Sequence, residues 1–272
     1  MRSMSSDVHD ADDRGNPRTG ANHPLSAPFS YHRGETGCLL LHGFTGTPWA
    51  LKNLGETLAN HNLTVEAPLL SGHGTLPEDM DHVSWERWVC EAHLSLERLQ
   101  KRCQKLFVMG LSMGGTLALF LASEKNVHGV VTLATPVRMR RLASRLVPVA
   151  KPFIRSWKKR RDRSVRWIPE MGYDCYPLSG AGEFFKLMRE TRKRLPDVRC
   201  PLLILHARGD RTVPVRNADL IYREIGSESK KIMILPASSH TITRGENQKD
   251  VEDAILAFVC NGSKRRDGGG GC

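Results

Sequence analysis

The chain has 272 residues, 40% apolar and 25% charged, enough to bury a full-sized core as one domain or one domain with an insertion. That balance excludes a wholly disordered chain, and no stretch reaches the roughly 20 uninterrupted apolar residues that cross a bilayer. The first 30 residues lack the apolar middle of a secretory signal, so the expectation is a cytoplasmic or membrane-peripheral protein. Net charge is +11, but its distribution matters more than its size. Between Val137 and Arg194 there are 17 Lys or Arg against Asp162, Glu170, Asp174, Glu183 and Glu190, a net +12 that leaves the remainder at −1.

Residues 1–26 are rich in Asp, Ser, Gly, Pro and Asn without apolar periodicity and read as a disordered leader. Short apolar runs then alternate with segments of helical period. Strands are expected at Gly37–His42, Leu63–Glu66, Lys105–Gly110, Gly129–Ala134, Pro201–Ala207 and Lys231–Leu235. Helices are expected at Trp49–Asn60, Ser84–Arg102, Met113–Ser123, Glu183–Leu195, Val215–Ile225 and Asn247–Cys260. Near-continuous apolar strands separated by helices predict a mostly parallel sheet covered on both faces. An extended piece at Pro28–His32 is expected to pair at the sheet edge through the turn at Arg33–Thr36.

The alternation breaks after Pro136. A basic, aromatic stretch follows, punctuated by Pro148, Pro152, Pro169 and Pro177. It is too long for an ordinary connection, so residues 137–178 are assigned to an inserted cap of one or two short helices. The core then comprises 27–136 and 179–260, and 261–272 forms a flexible, glycine-rich tail. Seven cysteines without C-x-x-C spacing argue against zinc and against a disulfide framework. No metal or organic cofactor is expected.

Gly110-Leu111-Ser112-Met113-Gly114 follows an apolar strand and opens a helix. In a G-x-S-x-G elbow the serine sits on a cramped strand-to-helix turn that lifts its hydroxyl clear of the sheet. A serine hydroxyl is a weak nucleophile at neutral pH and needs a base oriented by an acid. Asp210 follows one predicted strand and His240 the next, in the order serine, acid, histidine. His9, His23, His32, His61, His93 and His128 lack such a position, and His206, the runner-up, precedes Asp210 and points into the sheet or its packing layer. Asp219 and Glu224 read as the solvated face of the following helix. The loop His42-Gly43-Phe44-Thr45-Gly46 after the first core strand would supply one backbone N–H, from Phe44, and Met113 a second, for an oxyanion.

Leu39–Gly46, Ala67-Pro68 with Gly72-His73-Gly74, the Trp85 and Trp88 pair, Gly110–Gly115 and Ser239–Thr243 together resemble the small bacterial carboxylesterases and monoacylglycerol lipases. The resemblance spans about residues 28–260 and implies an α/β-hydrolase fold with Ser112 as nucleophile, Asp210 as acid, His240 as base and Phe44 with Met113 as the oxyanion pair. The density of Arg and Lys in the cap departs from the family's usual cap. The implied activity is hydrolysis of monoacylglycerols or short-to-medium-chain acyl esters. Thioester or amide cleavage on the same three residues is the alternative, and a polyanion-binding protein using the basic cap a further one.

The cap mixes Val147, Val149, Phe153, Ile154, Trp157, Trp167 and Ile168 with its cations. Val137, Ile154, Trp157, Val213 and Ile242 are the expected acyl-pocket residues. Apolar residues beside cations also suggest peripheral contact with an anionic lipid surface. No nucleic-acid motif accompanies the charge, so the expected partner is a small acyl ester, and the sequence leaves monomer or dimer open.

Overall fold

A computed structural model describes residues 26–139, 154–159, 172–236 and 240–264. The expected leader before residue 26, the cap helices within 140–153 and 160–171, and the tail beyond 264 lie outside the described residues. Val147, Val149, Phe153, Trp167 and Ile168 fall there too.

Strands β1 (Phe29–Tyr31), β2 (Thr36–Leu41), β3 (Thr64–Ala67), β4 (Lys105–Leu111), β5 (Gly129–Leu133), β8 (Leu202–Ala207) and β9 (Lys230–Leu235) form one sheet in the order β1-β3-β2-β4-β5-β8-β9. Every pairing is parallel except β1 with β3. The edge position expected for the first strand holds, but its neighbour is β3 rather than the strand that follows it in sequence. Thr64 explains the skip: its Oγ1 accepts from the Arg33 N–H at 3.0 Å and donates to the Gly34 carbonyl at 2.7 Å, so the turn is fastened to β3.

Side chains alternate across the sheet and both faces are apolar. Leu39 and Leu41 of β2, with Leu106 and Val108 of β4, pack under α2 (Trp85–Gln100), α3 (Met113–Glu124), α4 (Leu178–Arg194) and α5 (Arg216–Glu224). Cys38, Leu40, Phe107 and Met109 face the other way, against α1 (Lys52–Asn60) and α6 (Gln248–Lys264). The six helices expected in the core are all present, with shifted ends. Trp49 falls in a 3-10 turn, Pro48–Leu51, that leads into α1.

The stretch after β5 differs most from expectation. Ser156–Lys158 (β6) and Cys175–Pro177 (β7) pair antiparallel as a second, two-stranded sheet. Helix α4 starts at Leu178, five residues before Glu183, because Leu178, Ser179 and Gly180 are buried and packing overrides the weak local helical signal of Ser-Gly-Ala-Gly.

Helix α3 lies unusually close to the sheet. A Cβ on Gly114 would stand 1.9 Å from the Leu41 carbonyl oxygen, and one on Gly110 2.0 Å from the Gly114 carbonyl carbon, both backbone atoms with nowhere to go. Gly114→Val should therefore cost about 3 kcal/mol or more, the upper range of overpacking, read as a drop in the urea midpoint. A midpoint equal to wild type would show that the helix stands off farther than described.

Candidate active site

The C-terminal ends of β4, β8 and β9 place the candidate residues. Ser112 has φ 54° and ψ −117°, a conformation that costs a non-glycine residue of order 1–3 kcal/mol and persists only when its surroundings enforce it. Here the Ser112 N–H donates to the Leu133 carbonyl at 2.7 Å, and the Ser112 carbonyl accepts from Gly115 and Thr116 at 2.9 and 3.2 Å. Ser112 is thus pinned to β5 on one side and to the first turn of α3 on the other.

Asp210 is buried just beyond β8. Its Oδ1 accepts from the backbone N–H groups of Thr212 and Val213 at 2.8 and 2.9 Å, and its Oδ2 from His240 Nδ1 at 2.6 Å. Burial alone would raise its pKa. The hydrogen bond to His240, the field of that ring and the two backbone donors outweigh burial and hold the carboxyl below its ordinary range. An ionised carboxylate can only accept, so Nδ1 of His240 carries the proton of this bond and Nε2 is the ring nitrogen turned away from the acid. β4 and β8 are two strand spacings apart, roughly 10 Å, a gap that a seryl and a carboxyl side chain with one imidazole between them can span.

His206 is fully buried in β8, as expected, and is not remote from the acid. Its Nε2 donates to the Val213 carbonyl at 3.0 Å and lies 3.6 Å from Asp210 Oδ2. Burial lowers its pKa, which keeps it neutral beside the carboxylate.

The loop after β2 passes beside the serine, since a Cβ on Gly43 would stand 3.3 Å from Ser112 Cβ. His42 sets its shape. The Leu70 N–H donates to its Nε2 at 3.1 Å, so Nδ1 carries the hydrogen and donates to the Gly43 carbonyl at 3.0 Å. Burial pushes the pKa of His42 down to about 4, fixing this neutral tautomer near pH 7. The Gly43 carbonyl also accepts from Gly46, and the Thr45 carbonyl from Tyr173. Among the described residues the N–H groups of Phe44 and Met113 donate to no protein acceptor, which leaves both available.

The Phe44 ring packs on His73, Trp88, Tyr176 and Phe184, with Tyr176 nearly parallel at 4° and 6.3 Å between centroids. Tyr176 brings β7 over this loop. Burial raises its phenol pKa and the charge of Asp210 raises it further, which puts Tyr176 within electrostatic reach of the acid. Sequence reasoning missed Tyr176 and its neighbour Lys159, because a strand pair of three residues each leaves no periodicity to read.

The five expected pocket residues occupy different positions in the fold. Val137 and Ile242 are buried in packing layers on opposite faces of the sheet. Val213 is buried beside Asp210, where its N–H is used. Ile154 and Trp157 stand exposed on the hairpin, at 43% and 63%. A surface groove of about 850 Å³ runs along Phe29, Glu66, Pro68 and Arg98 at the sheet edge and contains none of the candidate residues.

A parallel sheet sheathed in helices, with a serine on a strained strand-to-helix elbow and a histidine–carboxylate pair on later loops, defines an α/β hydrolase. The chain belongs to the serine aminopeptidase S33 family, whose model matches residues 35–248. It is 35% identical over 237 residues to a thermostable monoacylglycerol lipase of Bacillus sp. (strain H-257), covering 85% of this chain and 93% of that one. It is 26% identical over 235 residues to a carboxylesterase of Bacillus subtilis (strain 168), covering 85% and 95%. Among solved structures, one described with LipS and LipT, two metagenome-derived lipolytic enzymes, superposes with a TM-score of 0.83 at 29% identity, covering 88% of this chain and 98% of that one. A Paleococcus ferrophilus monoacylglycerol lipase shares the fold, with a TM-score of 0.73 at 20% identity over 86% and 98% of the two chains.

Because the folded state holds the Asp210 carboxyl below its unfolded value, its contribution to stability is present above the ordinary carboxylate range and lost as pH falls through the depressed value. The stability gap between wild type and Asp210→Asn should therefore narrow on acidification from neutrality to about pH 3, read from urea midpoints. A gap that widened would contradict an ionised, paired Asp210.

Proposed function

We propose that the protein hydrolyses carboxylic esters, monoacylglycerols and short-to-medium-chain acyl esters among them, through an acyl-enzyme on Ser112. The observation that carries this reading is the 2.6 Å bond between His240 Nδ1 and Asp210, which leaves Nε2 as the only free base on the ring. His240 takes the Ser112 proton as Oγ attacks the ester carbonyl, and Asp210 holds the tautomer and stabilises the imidazolium. The N–H groups of Phe44 and Met113 receive the oxyanion, a donor pair in which each member is typically worth about 100 to 1,000-fold in rate. His240 then returns its proton to the leaving alcohol. Water activated by the same ring releases the acid and restores Ser112.

The ester reading draws support from the bacterial relatives, a monoacylglycerol lipase and a carboxylesterase. The family's description as serine aminopeptidase favours amide cleavage as the second reading. Matched p-nitrophenyl esters and p-nitroanilides separate the two. Ser112→Ala should lower ester turnover by roughly a millionfold while leaving the unfolding midpoint near wild type. It should also abolish labelling by a fluorophosphonate, and a variant that kept a tenth of the activity would remove Ser112 from the reaction.

The location we infer is peripheral to an anionic lipid surface, from which such esters derive. Exposed Ile154 and Trp157 flank exposed Arg155 on one hairpin, with Lys158 next along the strand, a pairing of apolar and cationic groups suited to a lipid interface. No helix among the described residues is long and apolar enough to cross a membrane. In vesicle sedimentation at low salt, recovery on anionic vesicles should exceed that on neutral ones and fall as salt is added. Equal recovery on both would end this reading.

A further inference from the structure

The hairpin carries one cation that ester hydrolysis does not require and that differs from its neighbours. Lys158 is exposed, whereas Lys159 is turned inward and half-buried, with its ammonium in the interior. Its Nζ donates to the Tyr173 carbonyl at 2.6 Å and sits 5.1 Å from the centroid of the Tyr176 ring. The backbone holds this placement from both directions. The Lys159 N–H donates to the Asp174 carbonyl, and the Tyr173 N–H donates to the Thr45 carbonyl in the loop beside Ser112. The ammonium thus lies over the Tyr176 ring, which in turn stacks on the Phe44 ring of that loop.

Such a charge is costly to keep there. An ammonium has three donors, and removing it from water is unfavourable unless something replaces the lost hydration. One donor is used on the Tyr173 carbonyl, and the face of Tyr176 offers cation–π attraction. Among the described residues no carboxylate stands within ion-pair distance of Nζ, although Cys175 and, less strongly, Asp174 act on it through space. His73, close enough to sense the same charge, is kept neutral by burial and by His42, so it adds no second positive charge beside Nζ.

Building on the ester-hydrolase reading, we propose that Lys159, oriented by Tyr176, is a specificity residue for esters bearing a second, anionic oxygen group, phosphate or carboxylate, a few bonds from the scissile carbonyl. The anion accepts a charge-assisted hydrogen bond from Nζ, of the stronger kind formed between ionised partners. A neutral ester of the same size leaves the cation without that partner. The anionic group can belong to the alcohol, as in a glycerol phosphate ester, or to the acyl part, as in a dicarboxylic half-ester.

Two matched pairs test this at constant ionic strength: lysophosphatidate against monooleoylglycerol for the alcohol side, and mono-p-nitrophenyl glutarate against p-nitrophenyl valerate for the acyl side. The measured quantity is the ratio of kcat/KM for the anionic member to that for the neutral one, in wild type, Lys159→Gln and Lys159→Arg. In at least one pair the ratio should fall about tenfold or more in Lys159→Gln and recover in Lys159→Arg, as expected for a lost bond between charged partners. A ratio that moves less than about threefold in both pairs, on the same scale, overturns the proposal.

Should Lys159→Gln not fold, inhibition of wild-type valerate hydrolysis decides. Glycerol phosphate or glutarate should compete where glycerol does not, and equal effects of all three overturn the proposal. A wild type that cleaves none of the four esters overturns the ester reading together with this one. Cleavage of the neutral esters with unchanged ratios overturns the Lys159 assignment alone.

Discussion

The carboxylate of Asp210 organises this site. It is buried, yet it stays charged because three donors converge on it: Thr212 and Val213 from the backbone and His240 from the ring. The order of magnitudes explains the arrangement. An unpaired buried charge costs several kcal/mol, whereas each hydrogen bond to a charged group returns roughly 1.5–3 kcal/mol, so a carboxylate needs about three donors to remain ionised there. Removing any one donor weakens the case for ionisation and, with it, the reason for His240 to hold its proton on Nδ1. The direction in which the ring can accept a proton is therefore decided at the end of β8.

A second constraint complements it. Helix α3 must begin without delay at the end of β4, and the closeness of Gly114 to the Leu41 carbonyl leaves no room for a gentler turn. The strain at Ser112 follows from that packing. Leu133 and the first turn of α3 hold the backbone, so the serine keeps its orientation through interactions that precede any substrate. Buried neutral histidines play a parallel part. His42 shapes the loop that carries Phe44, and His206 ties Val213 to the region of the acid.

Much of this was legible in the chain. The parallel sheet could be read because β2, β4, β5 and β8 are apolar on both faces, and the G-x-S-x-G sequence could be located because it stands between a strand and a helix. The order of Ser112, Asp210 and His240 was likewise visible. What escaped was set by packing rather than pattern. The entry of α4 at Leu178 depends on Gly180 lying against Phe44 and Met80, and the pairing of β1 with β3 depends on the hydroxyl of Thr64. Which way a side chain faces near the site is likewise not fixed by chain position. Val137 and Ile242 went to opposite layers, and Trp157 went to solvent.

The segment between β5 and α4 is tethered at its two ends by different means. Where it leaves the sheet, Asn217 Oδ1 accepts from the N–H groups of Val137 and Arg138 at 3.1 and 2.9 Å. Where it returns, Gly172 fits against the Thr45 carbonyl with φ 107°, and the Tyr173 hydroxyl donates to the loop that holds Gly72 and Leu76. Both clasps use atoms of the scaffold and of the boundary residues alone. The anchorage of this segment is therefore set by the core and by its two boundaries, so a change of size or charge between them would leave both attachment points in place.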